Sequence, residues 1–415
     1  MSIREFAKGA ASLASGTTIA QAIAFGFTFA LARLYDGAAF GHFTIFLSCL
    51  GILGVLSTGS YDKAVMFARS PRRLNALVTL VWMIAATVAG LSLLAGLLLL
   101  VSGWESPIGL THFEHLVMLP LASLLFAGSQ LSVYVCLKAN RLTRLAGLKV
   151  AQSTVAGGAQ SALSTALPKG GLVLGQIAGL CIMALPAAAI LREALKNLSR
   201  RAWMRVAASA RRFNRYPKYV YPSELLDAFA NQLPLLAIGS VFSLATLGAY
   251  GFAQRILAAP SALVGQAVGQ IFLQYIGRRE MDYPAIKRLM VRVWLAMAGL
   301  GVLPFAALFL FGGALFALVF GEQWRGAGEI AAACAPLLFV RFVSSPTSTI
   351  YYRLELQSWQ LALVVVALFV RTAPVFTHFL GVDIIGVIYL QTAGEVVVVG
   401  IYNAIAWRRL GERAR

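Results

Sequence analysis

The strongest constraint on this chain is the regular alternation of long apolar stretches with short segments rich in Lys and Arg. Divided at those segments, the 415 residues form about a dozen apolar stretches, each close to the length of a membrane-spanning helix. A hydrocarbon core about 30 Å thick needs ~20 helical residues, and only helices satisfy their backbone polar groups at that length without a closed barrel. The pattern therefore predicts an all-α polytopic membrane protein.

Composition supports this prediction. The chain is 59% hydrophobic and 12% charged, and its mean hydropathy of +0.77 excludes an ordinary soluble domain. We predict about 12 transmembrane helices in two six-helix bundles. The predicted spans are 13–32, 38–60, 75–101, 115–136, 150–167, 171–190, 225–245, 248–276, 291–319, 329–350, 359–380 and 384–407.

The positive charge indicates the topology. With the N-terminus in the cytoplasm, 29 of the 35 Lys and Arg residues lie in segments predicted to be inside or, for Arg292, at the cytoplasmic end of a span, as the positive-inside rule requires. Both termini are then cytoplasmic. The net charge of +19 is explained by topology and by attraction to anionic membrane lipids, so no nucleic-acid partner is needed.

The longest hydrophilic segment, 191–223, lies near the middle of the chain. It predicts a first lobe at 1–190, a basic cytoplasmic amphipathic linker, and a second lobe at 224–415. An interfacial helix and a solvated basic linker both fit the segment. A weak internal repeat at an offset of 210 residues, which relates Ala38–Gly41 to Gly248–Gly251, is consistent with two similar lobes.

Charged side chains deep inside the predicted spans are the main functional candidates: Arg255, Arg341, Arg371 and Glu395. A charge at mid-bilayer costs about 2.5 to 3.5 kcal/mol even on the lenient insertion scale, so such groups seldom face lipid. Glu395 could neutralise Arg341 or Arg371, or it could respond to protons or cations. Asp62 and Asp227, near cytoplasmic ends of spans, are further candidates for ion or proton coupling.

Polar residues in the eighth span favour a hydrated cavity. Gly251, Arg255, Gln266 and Gln270 recur at spacings that place them on one broad helix face, and Gln21 adds a polar group from the first span. Glutamines that only bond neighbouring helices are the alternative. Because a guanidinium stays charged and donates two parallel hydrogen bonds, a cavity with arginines favours an anionic, phosphate-bearing ligand.

Catalysis has little support in the sequence. The longest predicted outer loop, 102–114, is short, and the four histidines are scattered along the chain, which suits neither a metal site nor a base–nucleophile pair. The four cysteines lack paired spacing, and no phosphate-cradling loop is present. We therefore expect a protein that is not an enzyme and has no cofactor or metal.

Several segments together resemble the Wzx-type O-antigen and polysaccharide flippases of the multidrug/oligosaccharidyl-lipid/polysaccharide exporter superfamily. The segments are LARLYDGAAFG at 31–41, STGSYDKA at 57–64, GLVLGQIAG at 171–179, RYPKYVYPSEL at 215–225, NQLP at 231–234, LGAYGFAQRILAAPSALVGQAVGQIF at 247–272 and VFGEQW at 319–324.

This resemblance implies a MATE-like, V-shaped fold that alternates between inward-open and outward-open states. The implied cargo is an undecaprenyl-diphosphate-linked glycan, an O-antigen or exopolysaccharide repeat unit, which is flipped from the cytoplasmic to the periplasmic leaflet of the bacterial inner membrane. By position, Arg255 would contact the diphosphate or sugar, and Arg33, Arg341 and Asp62 match family-like motifs. A polysaccharide polymerase and a chain-length regulator are implied partners.

Two other functions stay open at this point. A multidrug or amphiphile exporter of the same fold needs a net acidic cavity for cations. Here the predicted spans contain three arginines and one glutamate, so the expected net charge is positive. A membrane-embedded polymerase or glycosyltransferase would be distinguished by a covalent product.

Overall fold

The computed structural model describes the backbone of residues 3–102, 113–196, 199–276, 282–354 and 356–413. Within these ranges, the side chains of 3–11, 113–115, 259–264, 266–267, 270–271, 273–274, 352, 357–358, 360 and 413 are not described. The predicted outer loop at 102–114 therefore lies almost wholly outside the described residues.

The described residues form helices and turns and contain no strand. The α-helices are α1 (Ile3–Leu34), α2 (Gly37–Thr58), α3 (Tyr61–Ala64), α4 (Pro71–Val101), α5 (Phe113–Lys138), α6 (Leu142–Ala162), α7 (Gly171–Lys196), α8 (Arg200–Arg212), α9 (Tyr221–Val241), α10 (Leu244–Ile276), α11 (Tyr283–Phe320), α12 (Arg325–Ser344), α13 (Ile350–Leu354), α14 (Gln357–Thr372) and α15 (Ile384–Arg413).

Each predicted span overlaps a long helix, and the prediction of an all-α membrane protein is confirmed. The span 359–380 corresponds to α14 together with the 3-10 turns at Ala373–Leu380. Nine of the described helices are long and apolar enough to cross a membrane. Of the other long helices, α6 is rich in polar residues, as expected for a helix that faces protein or water.

Helix ends differ from the prediction where polar residues obscure the apolar pattern. The fifth span, predicted at 150–167, is a helix at Leu142–Ala162 that includes Lys149. The predicted division of 225–276 into two helices is confirmed. The second helix begins after Ser243, whose Oγ accepts a hydrogen bond from the backbone N–H of Thr246 at 3.1 Å, as an N-cap does.

The helices group into two compact units. The first comprises Met1–Tyr35 and His42–Gln232, and the second comprises Asp36–Gly41 and Leu233–Arg415. The chain thus passes between the units inside α9, whereas the lobe boundaries predicted at 190 and 224 stay a prediction.

The basic segment 191–223 is divided between the end of α7 and the separate helix α8. Ser199 caps α8 by accepting a hydrogen bond from the N–H of Ala202 at 3.3 Å. Val206 is buried, whereas Trp203 and Met204 are exposed. The helix α8 is therefore amphipathic, and it is separate from α7, which ends at Lys196.

A close glycine contact joins the start of α2 to the start of α10 within the second unit. A Cβ built on Gly41 would lie 2.1 Å from the carbonyl oxygen of Leu244, and one built on Gly248 would lie 1.8 Å from that of Gly37. Only glycine permits such backbone approach. The two segments of the weak internal repeat therefore pack against each other.

Candidate functional site

The second unit encloses a cavity of about 360 Å³ between α10, α12 and α15. Its polar lining comprises Tyr250, Gln254, Cys334, Arg341, Ser345, Gln391, Thr392 and Glu395. Apolar side chains from the same three helices complete the wall. A mostly apolar cavity with a few convergent polar groups is typical of a ligand site.

Glu395 is the centre of an ion cluster in this cavity. Arg371 approaches it with two parallel bonds, from Nε to Oε1 at 2.9 Å and from Nη2 to Oε2 at 3.2 Å. Arg341 donates from Nη2 to the same Oε2. The expectation that Glu395 neutralises Arg341 or Arg371 is thus met for both arginines.

The three charges lie on α12, α14 and α15, and the two arginines are at helix ends. Arg341 and Arg371 lie in the last turns of α12 and α14, where a positive charge offsets the negative end of the helix dipole. Helix ends also leave backbone carbonyls without partners. The carbonyl of Arg371 accepts a hydrogen bond from Nε2 of Gln391 at 2.5 Å, and Thr392 donates to the carbonyl of Ala333 at 3.1 Å. One face of α15 therefore fixes both partner helices.

The cluster carries one more positive charge than negative. The side chain of Glu395 is 9% exposed, that of Arg371 is 20% exposed and that of Arg341 is 39% exposed. Within the described part of the chain, Arg341 donates only to Glu395, so its other N–H groups can reach a ligand in the cavity. The arrangement can accept an anion beside Glu395 or in its place.

Of the other predicted residues of the second unit, Arg255 has a described side chain, whereas Gln266 and Gln270 do not. Arg255 is half-buried on α10 and is absent from the described cavity lining, although its neighbour Gln254 lines the cavity. The side chains of Gln266 and Gln270 lie outside the described residues. The predicted polar face of α10 therefore stays a prediction beyond Arg255.

Four predicted residues belong to the first unit: Gln21, Arg33, Asp62 and Asp227. Gln21 is half-buried in α1, and its Oε1 has no hydrogen-bond partner among the described residues. Arg33 and Asp227 are exposed. None of the four is among the described lining residues of the cavity in the second unit.

Asp62 lies in a buried polar cluster that follows α2. Oδ1 of Asp62 has no hydrogen-bond partner among the described residues. Nearby, Glu224 pairs with Lys63 and accepts a hydrogen bond from Oγ of Ser60 at 2.6 Å. Burial raises the pKa of Asp62, Lys63 opposes that rise, and Glu224 adds to it. Asp62 is therefore a proton-binding candidate outside the membrane-spanning helices.

The sequence interpretation missed Gln254, Gln391 and Thr392. Gln391 and Glu395 are four residues apart and therefore share one face of α15, a spacing that could have identified this site. Uncharged side chains gave no other signal, because a glutamine in a membrane helix commonly serves only to bond a neighbouring helix.

The sequence was compared with models of protein families and with curated protein sequences. Residues 30–329 match the sequence model of a family described as polysaccharide biosynthesis protein. No curated protein sequence matches significantly.

Solved structures share the fold. The lipid II flippase MurJ in an inward closed conformation has a TM-score of 0.72 at 11% identity, over 97% of this chain and 89% of that chain. An inward-facing MATE family multidrug transporter of the MOP superfamily has a TM-score of 0.66 at 12% identity, over 95% of each chain. A MOP superfamily transporter from Pyrococcus furiosus has a TM-score of 0.53 at 13% identity, over 98% of this chain and 96% of that chain. The predicted MATE-like fold is confirmed.

Proposed function

We propose, from the premise that the chain belongs to the polysaccharide biosynthesis protein family, that it translocates an undecaprenyl-diphosphate-linked oligosaccharide across the bacterial inner membrane. The direction proposed is from the cytoplasmic to the periplasmic leaflet. The glycan would be a repeat unit of O-antigen or exopolysaccharide, which a polysaccharide polymerase with its chain-length regulator would then assemble.

One observation carries this proposal: two arginines share one glutamate in the cavity, and Arg341 is only partly covered. A diphosphate must cross hydrocarbon that strongly disfavours charge. Guanidinium groups in a partly hydrated cavity offset that cost because they bind phosphate oxygens through charge-assisted pairs of hydrogen bonds.

Glu395 acts in this proposal as a resident anion that the cargo displaces. In the absence of cargo it lowers the cost of burying Arg341 and Arg371 together, because its carboxylate pairs with both guanidinium groups. Arg341 is the more exposed of the two and meets the diphosphate first. Once displaced, Glu395 has two alternatives. It remains charged and is repelled by the nearby phosphate, or it binds a proton. Binding a proton would couple transport to proton movement.

The same charges disfavour the export of cations. Glu395 is nearly buried beneath two arginines, so a cationic drug entering the cavity would meet net positive charge. A cation exporter needs the reverse arrangement, because like charges in a low-dielectric site repel strongly.

The test uses the full chain reconstituted in liposomes with an undecaprenyl-diphosphate-linked oligosaccharide that carries a fluorescent sugar. A membrane-impermeant quencher measures the rate at which the sugar changes leaflet. We expect transport by the wild type and a loss of roughly 10- to 100-fold in Arg341→Gln, since charge-assisted hydrogen bonds contribute about 1.5–3 kcal/mol each.

Arg325→Gln is the matched control. Arg325 begins the same helix, lies outside the cavity and pairs with Glu322 on the surface, so this variant should transport at the wild-type rate. Equal transport by Arg341→Gln and the wild type would contradict the proposal. A covalently altered glycan would instead indicate a polymerase or glycosyltransferase.

A further inference from the structure

A second, larger cavity of about 930 Å³ lies where the start of α11 meets the end of α15. It belongs to the second unit and shares no lining residue with the cavity around Glu395. Its charged and aromatic lining comprises Lys287, Arg288, Arg292, Trp407, Arg408 and Glu412.

The charge of this cavity is strongly positive. Glu412 is the one carboxylate among the described lining residues, and it already accepts hydrogen bonds from Arg408 and from Arg409, each at 3.1 Å. Among the described residues, no carboxylate pairs with Arg288 or Arg292, and both side chains are exposed. An anion entering the cavity would therefore find basic groups that are not neutralised.

An indole fixes one wall of the cavity. Nζ of Lys287 lies 4.0 Å from the ring centroid of Trp407, which is a favourable cation–π geometry. Trp407 also stacks on Trp294, with ring centroids 6.1 Å apart. Tryptophan and lysine together are typical of the headgroup layer of a membrane, where one part of the side chain is apolar and the other meets water.

An apolar stripe leads away from the basic residues along α11. Arg288, Leu295 and Val302 follow one another at intervals of seven residues, which places them on nearly the same helix face, and both aliphatic residues are largely exposed. At 1.5 Å per residue, each interval spans about 10 Å. The exposed surface thus changes from basic to aliphatic over the depth of a headgroup layer.

We infer that this cavity binds the headgroup of an anionic phospholipid, with its phosphate near Arg288, Arg292 and Arg408 and an acyl chain along Leu295 and Val302. The aliphatic stripe favours a lipid over a free phosphate, because a soluble anion would gain nothing from it. Basic cavities between membrane helices are suited to such headgroups. The inference is independent of which glycan is transported.

The experiment is native mass spectrometry of the full chain released from detergent with phosphatidylglycerol or phosphatidylcholine. Wild-type protein should retain phosphatidylglycerol in preference to phosphatidylcholine. The double variant Arg288→Gln/Arg292→Gln should bind phosphatidylglycerol roughly 30-fold more weakly, since each basic residue at an anionic surface contributes about a factor of five.

The matched control is Arg211→Gln/Arg212→Gln, which removes the same charge from the exposed last turn of α8. It should bind phosphatidylglycerol as the wild type does. Equal weakening in both double variants would show unspecific attraction and overturn the inference, as would equal retention of the two lipids by the wild type. If the double variant fails to accumulate, Arg292→Gln alone should weaken binding about fivefold.

A competition arm separates a lipid site from an anion site. Dioctanoyl phosphatidylglycerol should displace the bound lipid, whereas inorganic phosphate and glycerophosphoglycerol at the same concentration should not. Displacement by either soluble compound as efficiently as by the short-chain lipid would show that the acyl stripe plays no part, and would overturn the inference.

Discussion

Replacing Glu395 with glutamine tests the ion cluster most sharply. The change keeps the size of the side chain and removes its charge, so Arg341 and Arg371 remain together without a carboxylate. Because α15 is hydrogen-bonded to the carbonyl of Arg371 at the end of α14 and to that of Ala333 within α12, the arginines cannot separate without breaking other contacts. We expect a large loss of stability.

The magnitude follows from the burial of the three side chains. Removing one partner of a fully buried ion pair costs about 3–5 kcal/mol. Glu395 is 9% exposed and Arg371 is 20% exposed, whereas Arg341 is 39% exposed and stays partly hydrated. We therefore predict a loss near the lower end of the range, about 3 kcal/mol in the free energy of unfolding.

The assay is reversible unfolding in mixed detergent micelles, followed by tryptophan fluorescence. Glu322→Gln serves as the control, because Glu322 pairs with Arg325 on the surface with 73% of its own side chain exposed, and an exposed pair contributes less than about 1 kcal/mol. The double variant Glu395→Gln/Arg371→Gln should recover part of the lost stability, since it removes one of the two positive charges that repel each other. A loss in Glu395→Gln no larger than in Glu322→Gln would refute the reasoning.

Three further predictions concern other residues. Arg341→Lys keeps the positive charge but loses the planar guanidinium group that donates two parallel hydrogen bonds. Its transport rate should therefore fall between those of Arg341→Gln and the wild type. A rate equal to that of Arg341→Gln would contradict the role of charge. Because the folded-state pKa of Asp62 is raised above the ordinary value of about 3.9, the wild type should lose stability as pH rises from about 4 through that raised pKa. Asp62→Asn should remove this dependence and be the more stable protein at neutral pH, whereas parallel unfolding profiles would contradict it. Gly248→Ala should destabilise the protein by about 1–3 kcal/mol through overpacking, because its Cβ would meet the carbonyl of Gly37. Gly299→Ala is the control and should not destabilise it, because no atom lies within 4 Å of the added Cβ. Equal unfolding midpoints for the two variants would contradict the prediction.

The helices were predictable from the sequence because a membrane-spanning helix requires a long apolar segment. An apolar segment of about 20 residues remains recognisable even when it contains a few polar residues. All twelve predicted spans therefore overlap long helices. The fifth span was displaced because Lys149 and nearby glutamines weaken the hydropathy signal in α6. Caps such as Ser243 then set helix ends that hydropathy alone does not define.

The site was only partly predictable because sequence does not fix the rotation of a helix. Arg341, Arg371 and Glu395 were found from their charge, and the structure brings them together. Arg255 was found by the same argument, yet the described cavity is lined by its neighbour Gln254. Consecutive helical residues differ by about 100° in direction, and packing decides which of them faces a cavity.

The most direct test of the account is a cryo-electron microscopy structure of the protein in nanodiscs with an undecaprenyl-diphosphate-linked oligosaccharide. The account predicts diphosphate density within hydrogen-bond distance of Arg341, with the carboxylate of Glu395 turned away from it. Diphosphate density elsewhere, for example beside Arg255, with Glu395 still joined to Arg341 and Arg371, would contradict the central claim.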